Sequence, residues 1–335
     1  MKTFRNLWPR IIAFENVYNA YLKARRGKRY KHYSLAFTAN AEEELWSIIT
    51  DLKDKTYRPG PYYTFWINEP KKRLIAAAPF RDRVVHHAVC NVIEPLYDRT
   101  FIHDSYACRV GKGTHRALFR AWEFMRGNQY VLKCDIRKYF PSIDHGVLKG
   151  LLRGKIACRD TLHLLEKIIE HGDTINAVPG VGLPIGNLTS QFFANLYLNE
   201  LDYYCKVDLQ ARCYLRYMDD FMLFSNSREY LHDCRARIRE FLAGMRLEFK
   251  PGKNNIFPVR NGFEFLGFFN RPELVRVRKE GVRRHVKRLH RYRLLYNRGL
   301  LPLAKITESL VSWSAHASYA NSYRLRQSLA WGFVL

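Results

Sequence analysis

The 335-residue sequence lacks the features that mark membrane, secreted or disulfide-bonded proteins. It has no apolar run of ~18 residues, the length that a membrane-spanning helix needs, and residues 1–10 contain no apolar segment typical of a signal peptide. The seven cysteines are odd in number and form no CxxC pair, which argues against a disulfide framework or a zinc knuckle. We therefore expect a globular, cytoplasmic protein with no membrane partner.

Acidic residues are scarce, because Asp and Glu number 31 against 56 Lys and Arg, and the net charge is +25. The excess lies at the ends: residues 1–34 carry nine basic and one acidic residue, and residues 271–335 carry fourteen and three. Such charge is typical of proteins that bind polyanions. The 21 Tyr, 21 Phe and 6 Trp add rings for stacking. Charge alone does not distinguish an RNA-binding protein from an enzyme that acts on nucleic acid.

Helical and strand patterns mix along the chain without regular alternation, which predicts an α+β fold. Asn40 is a candidate N-cap, with Glu43 at the capping-box position, and Asp144 is a second candidate N-cap. Apolar spacing predicts helices at 82–96, 146–152, 161–169, 190–203 and 229–245, and loosely at 271–298. Strands are predicted at 130–135 and 263–268, as a hairpin of 62–66 with 74–78, and as two short strands within 214–224.

Three aspartates adjoin the predicted strands. Asp135 ends the strand at 130–135, and Asp219 and Asp220 lie between the two short strands. Burying adjacent like charges is costly unless a cation neutralises them. Two-metal phosphoryl transfer needs carboxylates that hold Mg²⁺ ions ~4 Å apart. A plain Asp-Asp turn is the alternative, but the flanking strands and Asp135 favour a metal site.

These aspartates belong to strings that resemble the motifs of reverse transcriptases. Tyr217-Met-Asp-Asp220 is similar to the YxDD box, and residues 135–144 resemble the first-aspartate motif. Residues 81–87 and 105–113 resemble fingers motifs, and Phe265-Leu-Gly-Phe268 resembles the primer grip. The resemblance implies a right-hand polymerase fold with fingers, palm and thumb. It divides the chain into a basic N-terminal extension (1–34), mainly fingers with the start of the palm (35–134), a palm with an antiparallel sheet and helices (135–270) and a basic helical thumb (271–335).

The string Leu183-Pro-Ile-Gly-Asn-Leu-Thr-Ser-Gln191 resembles the reverse transcriptases of diversity-generating retroelements, within the group II intron-like bacterial superfamily. Ile185 stands before Gly186, where most reverse transcriptases have Gln, and Ser190-Gln191 stands where most have Ser-Pro. The resemblance implies copying of a template-repeat RNA into adenine-mutagenised cDNA for mutagenic retrohoming. A retron, group II intron or antiphage-defence enzyme is the alternative. A non-catalytic RNA-binding protein on a polymerase scaffold is a third possibility.

The resemblance also implies partners and a cofactor. The partners are the retroelement's template-repeat and spacer RNA, cDNA and the RNA–DNA duplex, dNTPs, and the accessory variability protein, a homopentamer in this family. The cofactor is a pair of Mg²⁺ ions, with Mn²⁺ as a substitute in vitro. The implied metal site consists of Asp135, Ile136, Asp219 and Asp220. The implied nucleotide-binding residues are Arg73, Arg81, Ile136, Phe140, Ile185, Gly186 and Gln191.

Several of these roles have a structural alternative. Phe140 either stacks under the nucleotide sugar or packs in the core, and Arg73 either contacts the triphosphate or lies in a solvated turn. Gly186 either lets the backbone approach the nucleotide or serves as a turn glycine. Besides the three aspartates, Lys253 is the fourth predicted catalytic residue, as the group that protonates pyrophosphate. Lys250 competes with it for that role.

Ile185 carries a hypothesis about fidelity. A Gln there is able to hydrogen-bond the nucleotide or the base-pair edge, whereas Ile has neither donor nor acceptor. Loss of a fixed polar contact removes ~1–3 kcal/mol of discrimination. The alternative is that Ile185 only packs against the palm.

Overall fold

The computed structural model describes residues 3–68 and 72–331. The helices are α1 (Trp8–Ile11), α2 (Phe14–Arg25), α3 (His32–Ala39), α4 (Ala41–Lys53), α5 (Phe80–Asp98), α6 (Thr114–Arg126), α7 (Tyr139–Ser142), α8 (His145–Arg153), α9 (Arg159–Glu170), α10 (Leu188–Tyr203), α11 (Arg228–Gly244), α12 (Lys279–Asn297), α13 (Leu303–Ala317) and α14 (Tyr323–Trp331). The strands are β1 (Tyr63–Ile67), β2 (Arg73–Ala77), β3 (Tyr130–Ile136), β4 (Tyr214–Tyr217), β5 (Asp220–Ser225), β6 (Phe249–Pro258), β7 (Phe263–Phe265), β8 (Phe268–Arg271) and β9 (Leu274–Val277). The mixture of helices and antiparallel sheets confirms the predicted α+β class.

A four-stranded antiparallel sheet in the order β4-β5-β3-β6 forms the centre of the fold. Its two inner strands, β3 and β5, bury side chains on both faces, for example Leu132 and Phe221 on one face and Val131 and Met222 on the other. α11 packs against β3, β5 and β6. Burial on both faces explains why these strands read as nearly continuous apolar runs.

The N-terminal half is a set of helices packed around α5. α2 presents Val17, Ala20 and Ala24 to the core, and these small side chains let α2 lie close against α5. α5 also contacts α10, and the two helices bury most of their residues. The first core cluster therefore runs from the N-terminal helices to the central sheet.

A second sheet, β7-β8-β9, joins the central sheet to the C-terminal helices. The predicted single strand at 263–268 is wrong, because the chain reverses between β7 and β8 at Leu266 and Gly267, whose φ values are 49° and 91°. Phe263, Phe265 and Phe268 bury their rings in a second core cluster with residues of α6. The predicted thumb boundary at 271 falls on the last residue of β8, and the helical part begins at Lys279.

The other local predictions agree closely with the structure. The helices at 82–96, 146–152, 161–169, 190–203 and 229–245 and the hairpin of β1 with β2 are present, with ends shifted by a few residues at most. Pro70 and Lys71, predicted at the tip of that hairpin, lie outside the described residues. Asp144 caps α8 by accepting a hydrogen bond from the Val147 N–H at 2.9 Å. Asn40 occupies the N-cap of α4 without a side-chain capping bond.

Among the helices of residues 3–68 and 72–331, none is both long and apolar enough to cross a membrane.

Candidate active site

The three predicted aspartates converge where β3, β4 and β5 meet. Asp135 on β3 lies directly opposite Asp220 on β5 in the antiparallel register. Tyr217 pairs with Asp220, so Met218 and Asp219 form a two-residue hairpin turn. The φ angle of Met218 is 56°, whereas the φ angle of Asp219 is not positive. Positive φ at the first central position alone is the pattern of a type II′ turn, which normally takes Gly there. The turn thus holds a bulky residue in a strained conformation beside the aspartates.

The electrostatics of this cluster are those of a cation site. Burial raises the pKa of Asp219 to about 6; the Asp135 and Asp220 carboxylates raise it too, while its own backbone N–H and Arg73 lower it. Burial also raises the pKa of Asp220, although Lys133 opposes the shift. Like charges so close together disfavour ionisation unless positive charge is brought in.

Two lysines supply positive charge to the cluster. The Lys133 ammonium lies 2.9 and 2.8 Å from the two oxygens of Asp220. The Lys250 ammonium lies 2.9 Å from Asp135 Oδ2. Each lysine thus donates to a carboxylate oxygen that a divalent cation would also use.

The donor chemistry of the cluster fits Mg²⁺, which prefers carboxylate and carbonyl oxygens. Ile136, next to Asp135, is buried and has no side-chain donor atom, so only its backbone carbonyl could serve as a ligand. Within the described residues, no three His, Cys, Asp or Glu side chains are placed so that together they could hold a metal ion. Two of the three aspartates, Asp135 and Asp220, are instead paired with lysines. The chemistry of the site fits the ion, and Lys133 and Lys250 neutralise two of its carboxylates.

An irregularity in β6 places Lys250 in this cluster. Cys134 pairs with Asn254, but Ile136, two residues on, pairs with Phe249, so β6 has three extra residues opposite Asp135. Gly252, with φ 69°, lies in this bulge. The bulge brings Lys250 to Asp135, whereas Lys253 is exposed on β6. Of the two competing lysines, Lys250 is the one that contacts a predicted catalytic aspartate.

A loop before α10 brings further predicted residues to the site. At one end, the Leu183 N–H donates to the Phe140 carbonyl at 2.9 Å. At the other end, the Ala76 N–H of β2 donates to the Ile185 carbonyl at 2.8 Å. The loop therefore links the helix that carries Phe140 to the strand that carries Arg73. Phe140 and Ile185 are both half-buried, and Phe140 packs against the first core cluster.

Gly186 is needed where this loop touches β2. Its φ is 121°, and a Cβ there would lie 2.9 Å from Ile75 Cγ2 and 3.2 Å from the Ala76 carbonyl oxygen. Both the backbone conformation and the space therefore require glycine. The close approach is to a strand of the protein itself.

The remaining predicted nucleotide-binding residues divide into two groups. Arg73 interacts electrostatically with the cluster, because its charge lowers the pKa of Asp219. Arg81 instead forms an ion pair with Asp51 of α4 at 2.7 Å. Gln191 lines a separate cavity of about 330 Å³ with Glu94 and Arg109. The structure brings Arg73, but neither Arg81 nor Gln191, into contact or electrostatic interaction with the aspartates.

Sequence reasoning missed two residues of the site, Lys133 and Arg216. Lys133 lies two positions before Asp135 and so on the same side of β3, a signal that strand alternation offers. Arg216 is fully buried and donates to the carbonyl of Met218 in the hairpin turn. An arginine two positions before the turn is a weaker signal, because its ion-pair partner, Asp202, comes from α10.

A basic cleft of about 720 Å³ opens between the β7–β8 turn and the C-terminal helices. Its lining includes Gly267 of the turn, and Arg284, His285 and Arg288 of α12. Trp313 stacks on His285 with ring centroids 4.4 Å apart. Guanidinium groups beside aromatic rings suit a nucleic-acid backbone.

Comparison with known proteins identifies the class to which this architecture belongs. The family model for "Reverse transcriptase (RNA-dependent DNA polymerase)" matches residues 67–269, more than half of the chain. The chain therefore belongs to the reverse transcriptase family, and the predicted enzyme class, RNA-directed DNA polymerase, is confirmed.

The relatives include proteins of group II introns. The chain is 31% identical over 199 residues to the group II intron-encoded protein LtrA of Lactococcus lactis subsp. cremoris, covering 57% of this chain and 32% of LtrA. It is 26% identical over 269 residues to the protein YkfC of Escherichia coli K12, covering 67% of this chain and 70% of YkfC. It is 29% identical over 160 residues to an uncharacterised 91 kDa protein in the cob intron of Schizosaccharomyces pombe, covering 46% of this chain and 20% of that protein. The chain thus spans about a third of the length of LtrA.

Proposed function

We propose that this protein copies RNA into DNA at the carboxylate cluster, as the polymerase of a diversity-generating retroelement. The observation that carries the polymerase activity is the register of Asp135 opposite Asp220, with Asp219 in the adjoining turn. The charge of Arg73 acts on Asp219, and a guanidinium suits the recognition of a triphosphate.

The chain's own residues have separable tasks in this reaction. Asp135, Asp219, Asp220 and the carbonyl of Ile136 would hold two Mg²⁺ ions, which activate the primer hydroxyl and stabilise the departing pyrophosphate when bound. Arg73 binds the nucleotide phosphates, and Phe140 lies under the sugar. Lys250 and Lys253 are the candidates for the group that donates a proton to pyrophosphate. The Lys250 ammonium, already at Asp135, is the nearer of the two.

The right-hand division of the chain is part of the proposal. Residues 35–134, mainly fingers with the start of the palm, contribute β1, β2 and most of β3. The palm at 135–270 contributes the rest of the central sheet, and the thumb from 271 contributes α12 to α14. The basic N-terminal extension at 1–34 and the basic cleft beside α12 would hold RNA and the template–primer duplex. About three-quarters of the sequence's excess charge lies in the end segments 1–34 and 271–335, which supports the assignment.

Assignment to a diversity-generating retroelement depends on the loop before α10. The Ile185 carbonyl of this loop accepts a hydrogen bond from a backbone N–H of β2. Residue 185 is therefore held between the strand that carries Arg73 and the helix that carries Phe140. An apolar side chain at that place supplies no hydrogen bond to a nucleotide or base pair. We propose that this absence lowers discrimination at templating adenines. The partners would be a template-repeat RNA and the accessory variability protein, in the cytoplasm.

Primer extension on RNA with deep sequencing of the cDNA tests both levels of the proposal. RNA-dependent synthesis that Asp219→Asn abolishes would support the polymerase, and errors restricted to adenines would support the retroelement type. Ile185→Gln should reduce adenine errors about 5- to 150-fold, the range that ~1–3 kcal/mol gives, whereas Ile185→Leu keeps an apolar residue and is the matched control. An unchanged error spectrum in Ile185→Gln would contradict the role of this residue.

The relatives favour a second candidate, a reverse transcriptase of the group II intron type. LtrA is a group II intron-encoded protein, and its match covers 57% of this chain. High-fidelity cDNA from the extension assay, with errors spread over all four template bases, would favour this candidate over the first.

A further inference from the structure

A fully buried ion pair lies directly behind the catalytic turn. Arg216, the last residue but one of β4, and Asp202 of α10 both have side chains that are 0% exposed. The guanidinium is bidentate: its Nε lies 2.7 Å from Asp202 Oδ1 and its Nη2 lies 2.6 Å from Asp202 Oδ2. The Tyr214 hydroxyl also donates to Asp202 at 2.6 Å. The pair is therefore well supplied with hydrogen bonds, which a buried pair requires.

The third nitrogen of the guanidinium reaches the turn itself. Arg216 Nη1 donates to the Met218 carbonyl at 3.1 Å and to Asn195 Oδ1 at 3.2 Å. The carbonyl of Met218 and the N–H of Asp219 belong to one planar peptide group. Fixing the direction of that carbonyl therefore fixes the orientation of the backbone from which the Asp219 side chain begins.

This contact is needed because the turn has an alternative. In a two-residue turn the central peptide is able to rotate between the II′ and I′ forms, which differ in φ of the second residue. The observed form, with φ 56° at Met218, is strained for a side chain other than glycine. Strained conformations persist only where the surroundings hold them. The contact with Arg216 supplies such a hold.

Arg216 is itself held from outside the hairpin. Its backbone N–H donates to the Asp104 carbonyl at 2.9 Å, and its carbonyl accepts from the Tyr106 N–H at 3.0 Å. Asn195 of α10 donates in turn to the Ala107 carbonyl at 2.8 Å. The arginine thus lies where α10, the segment before α6 and the hairpin meet.

We infer that Arg216, anchored by Asp202, is a positioning residue that sets the peptide between Met218 and Asp219 and thereby aims the Asp219 carboxylate. The inference rests on the proposed polymerase function. Neither side chain needs to touch substrate for this role. Loss of the contact should slow the chemical step and leave nucleotide binding nearly unchanged.

Removing one partner alone is a poor test, because an unpaired buried charge strongly destabilises a fold. Two variants are informative. The double variant Arg216→Met/Asp202→Leu removes both charges of the buried pair, and Arg216→Lys keeps the positive charge but loses the bidentate guanidinium fork. Lys149→Met is the matched control, because it removes a half-buried cation from its ion pair with Glu170, between α8 and α9 and away from the turn. For each we would measure Tm, kcat, KM for dNTP and hydrogen exchange of a peptide covering 214–224.

We expect the double variant to keep a Tm near that of the wild type. Its kcat should fall at least 30-fold, the KM for dNTP should change less than about threefold, and the 214–224 peptide should exchange faster. Arg216→Lys should lose about tenfold in kcat, and Lys149→Met should leave kcat and exchange at 214–224 unchanged. Any folded variant without the fork that keeps kcat within threefold of wild type, or exchange at 214–224 as slow as wild type, would overturn the inference. Absence of RNA-templated synthesis by the wild type would instead refute the proposed function, and the exchange measurement would still decide the role of Arg216.

Discussion

At the scale of single residues, the two lysines of β6 show how one bulge decides which side chain serves the site. Lys250 and Lys253 are three residues apart, and the sequence alone favours neither strongly. Pairing of Ile136 with Phe249 places Lys250 at Asp135 and leaves Lys253 exposed. Such a register shift depends on tertiary pairing and not on the local sequence, which is why the sequence could not rank the two lysines.

Replacing each of these lysines with Met tests the ranking. We expect Lys250→Met to lower kcat by tenfold or more, because a general acid contributes about 10²–10⁴-fold and the charge beside Asp135 is lost too. Lys253→Met, the matched control on the same strand, should cost less than Lys250→Met. Single-turnover incorporation rates give the measurement. A larger loss in Lys253→Met would restore the sequence-based assignment.

His86 provides a prediction about pH and stability. The pKa of this residue in α5 is lowered from 6.5 to about 3. Burial is the largest cause, and the charges of His87, His171 and Arg83 contribute to the same shift. The unfolded chain therefore binds the extra proton between about pH 6.5 and pH 3, and the folded chain does not. Stability contributed by the neutral ring is complete above pH 6.5 and is lost as the pH falls through that window.

Urea unfolding across this window should show a shallower loss of stability in His86→Gln than in the wild type. The difference in slope should approach ~1.4 kcal/mol per pH unit, the value for one proton. His163→Gln on the exposed face of α9 is the control and should match the wild-type slope. Parallel curves for all three proteins would mean that His86 titrates normally.

At the scale of secondary-structure elements, prediction succeeded where the cue is local. The β4–β5 hairpin and the flanks of the β1–β2 hairpin follow from strand-like runs around turn residues, and the Asp144 cap follows from its place before α8. The reversal at Leu266 was missed, because Phe263 to Phe268 reads as one apolar run. Whether such a run continues or turns is decided by the second core cluster, which buries Phe265 and Phe268 from opposite arms of the hairpin.

Substitution of Gly186 tests whether the contact between the loop before α10 and β2 shapes the nucleotide site. Gly186→Ala places a Cβ 2.9 Å from Ile75 and adopts an unfavourable φ, so the loop must move away from β2. We expect a loss of ~1–3 kcal/mol in stability and a raised KM for dNTP. Gly180→Ala is a matched control in the same loop, since its φ is 76° but nothing lies within 4 Å of the added Cβ.

Thermal unfolding and steady-state nucleotide kinetics of the two glycine variants separate backbone strain from steric contact. Gly180→Ala should cost ~1 kcal/mol and leave KM for dNTP unchanged. Equal effects of the two substitutions on KM would show that the contact of Gly186 with β2 does not shape the site.

At the scale of the whole molecule, charge and chemistry are spatially divided. The acidic cluster lies in the central sheet, whereas α12 exposes a series of cations including Arg283, Arg284, Lys287 and Arg288. The excess of basic residues at the two ends of the sequence predicts this division. It could not predict the cleft, because the cleft arises where the β7–β8 turn approaches α12 and α13, a contact between segments far apart in the chain.

Salt dependence of duplex binding tests whether these cations contact phosphates. Each phosphate contact releases counterions and contributes about 0.9 to the slope of log K against log salt concentration. The double variant Arg284→Gln/Arg288→Gln removes two charges from the cleft lining, so the slope should shrink by about 1.8 and affinity should fall at low salt more than at high salt. Arg153→Gln, which removes an arginine paired with Glu166 on the surface of α8, should leave the slope unchanged. If both proteins keep the wild-type slope, the cleft does not hold the nucleic-acid backbone, and the excess charge of the C-terminal segment must act through other residues of that segment.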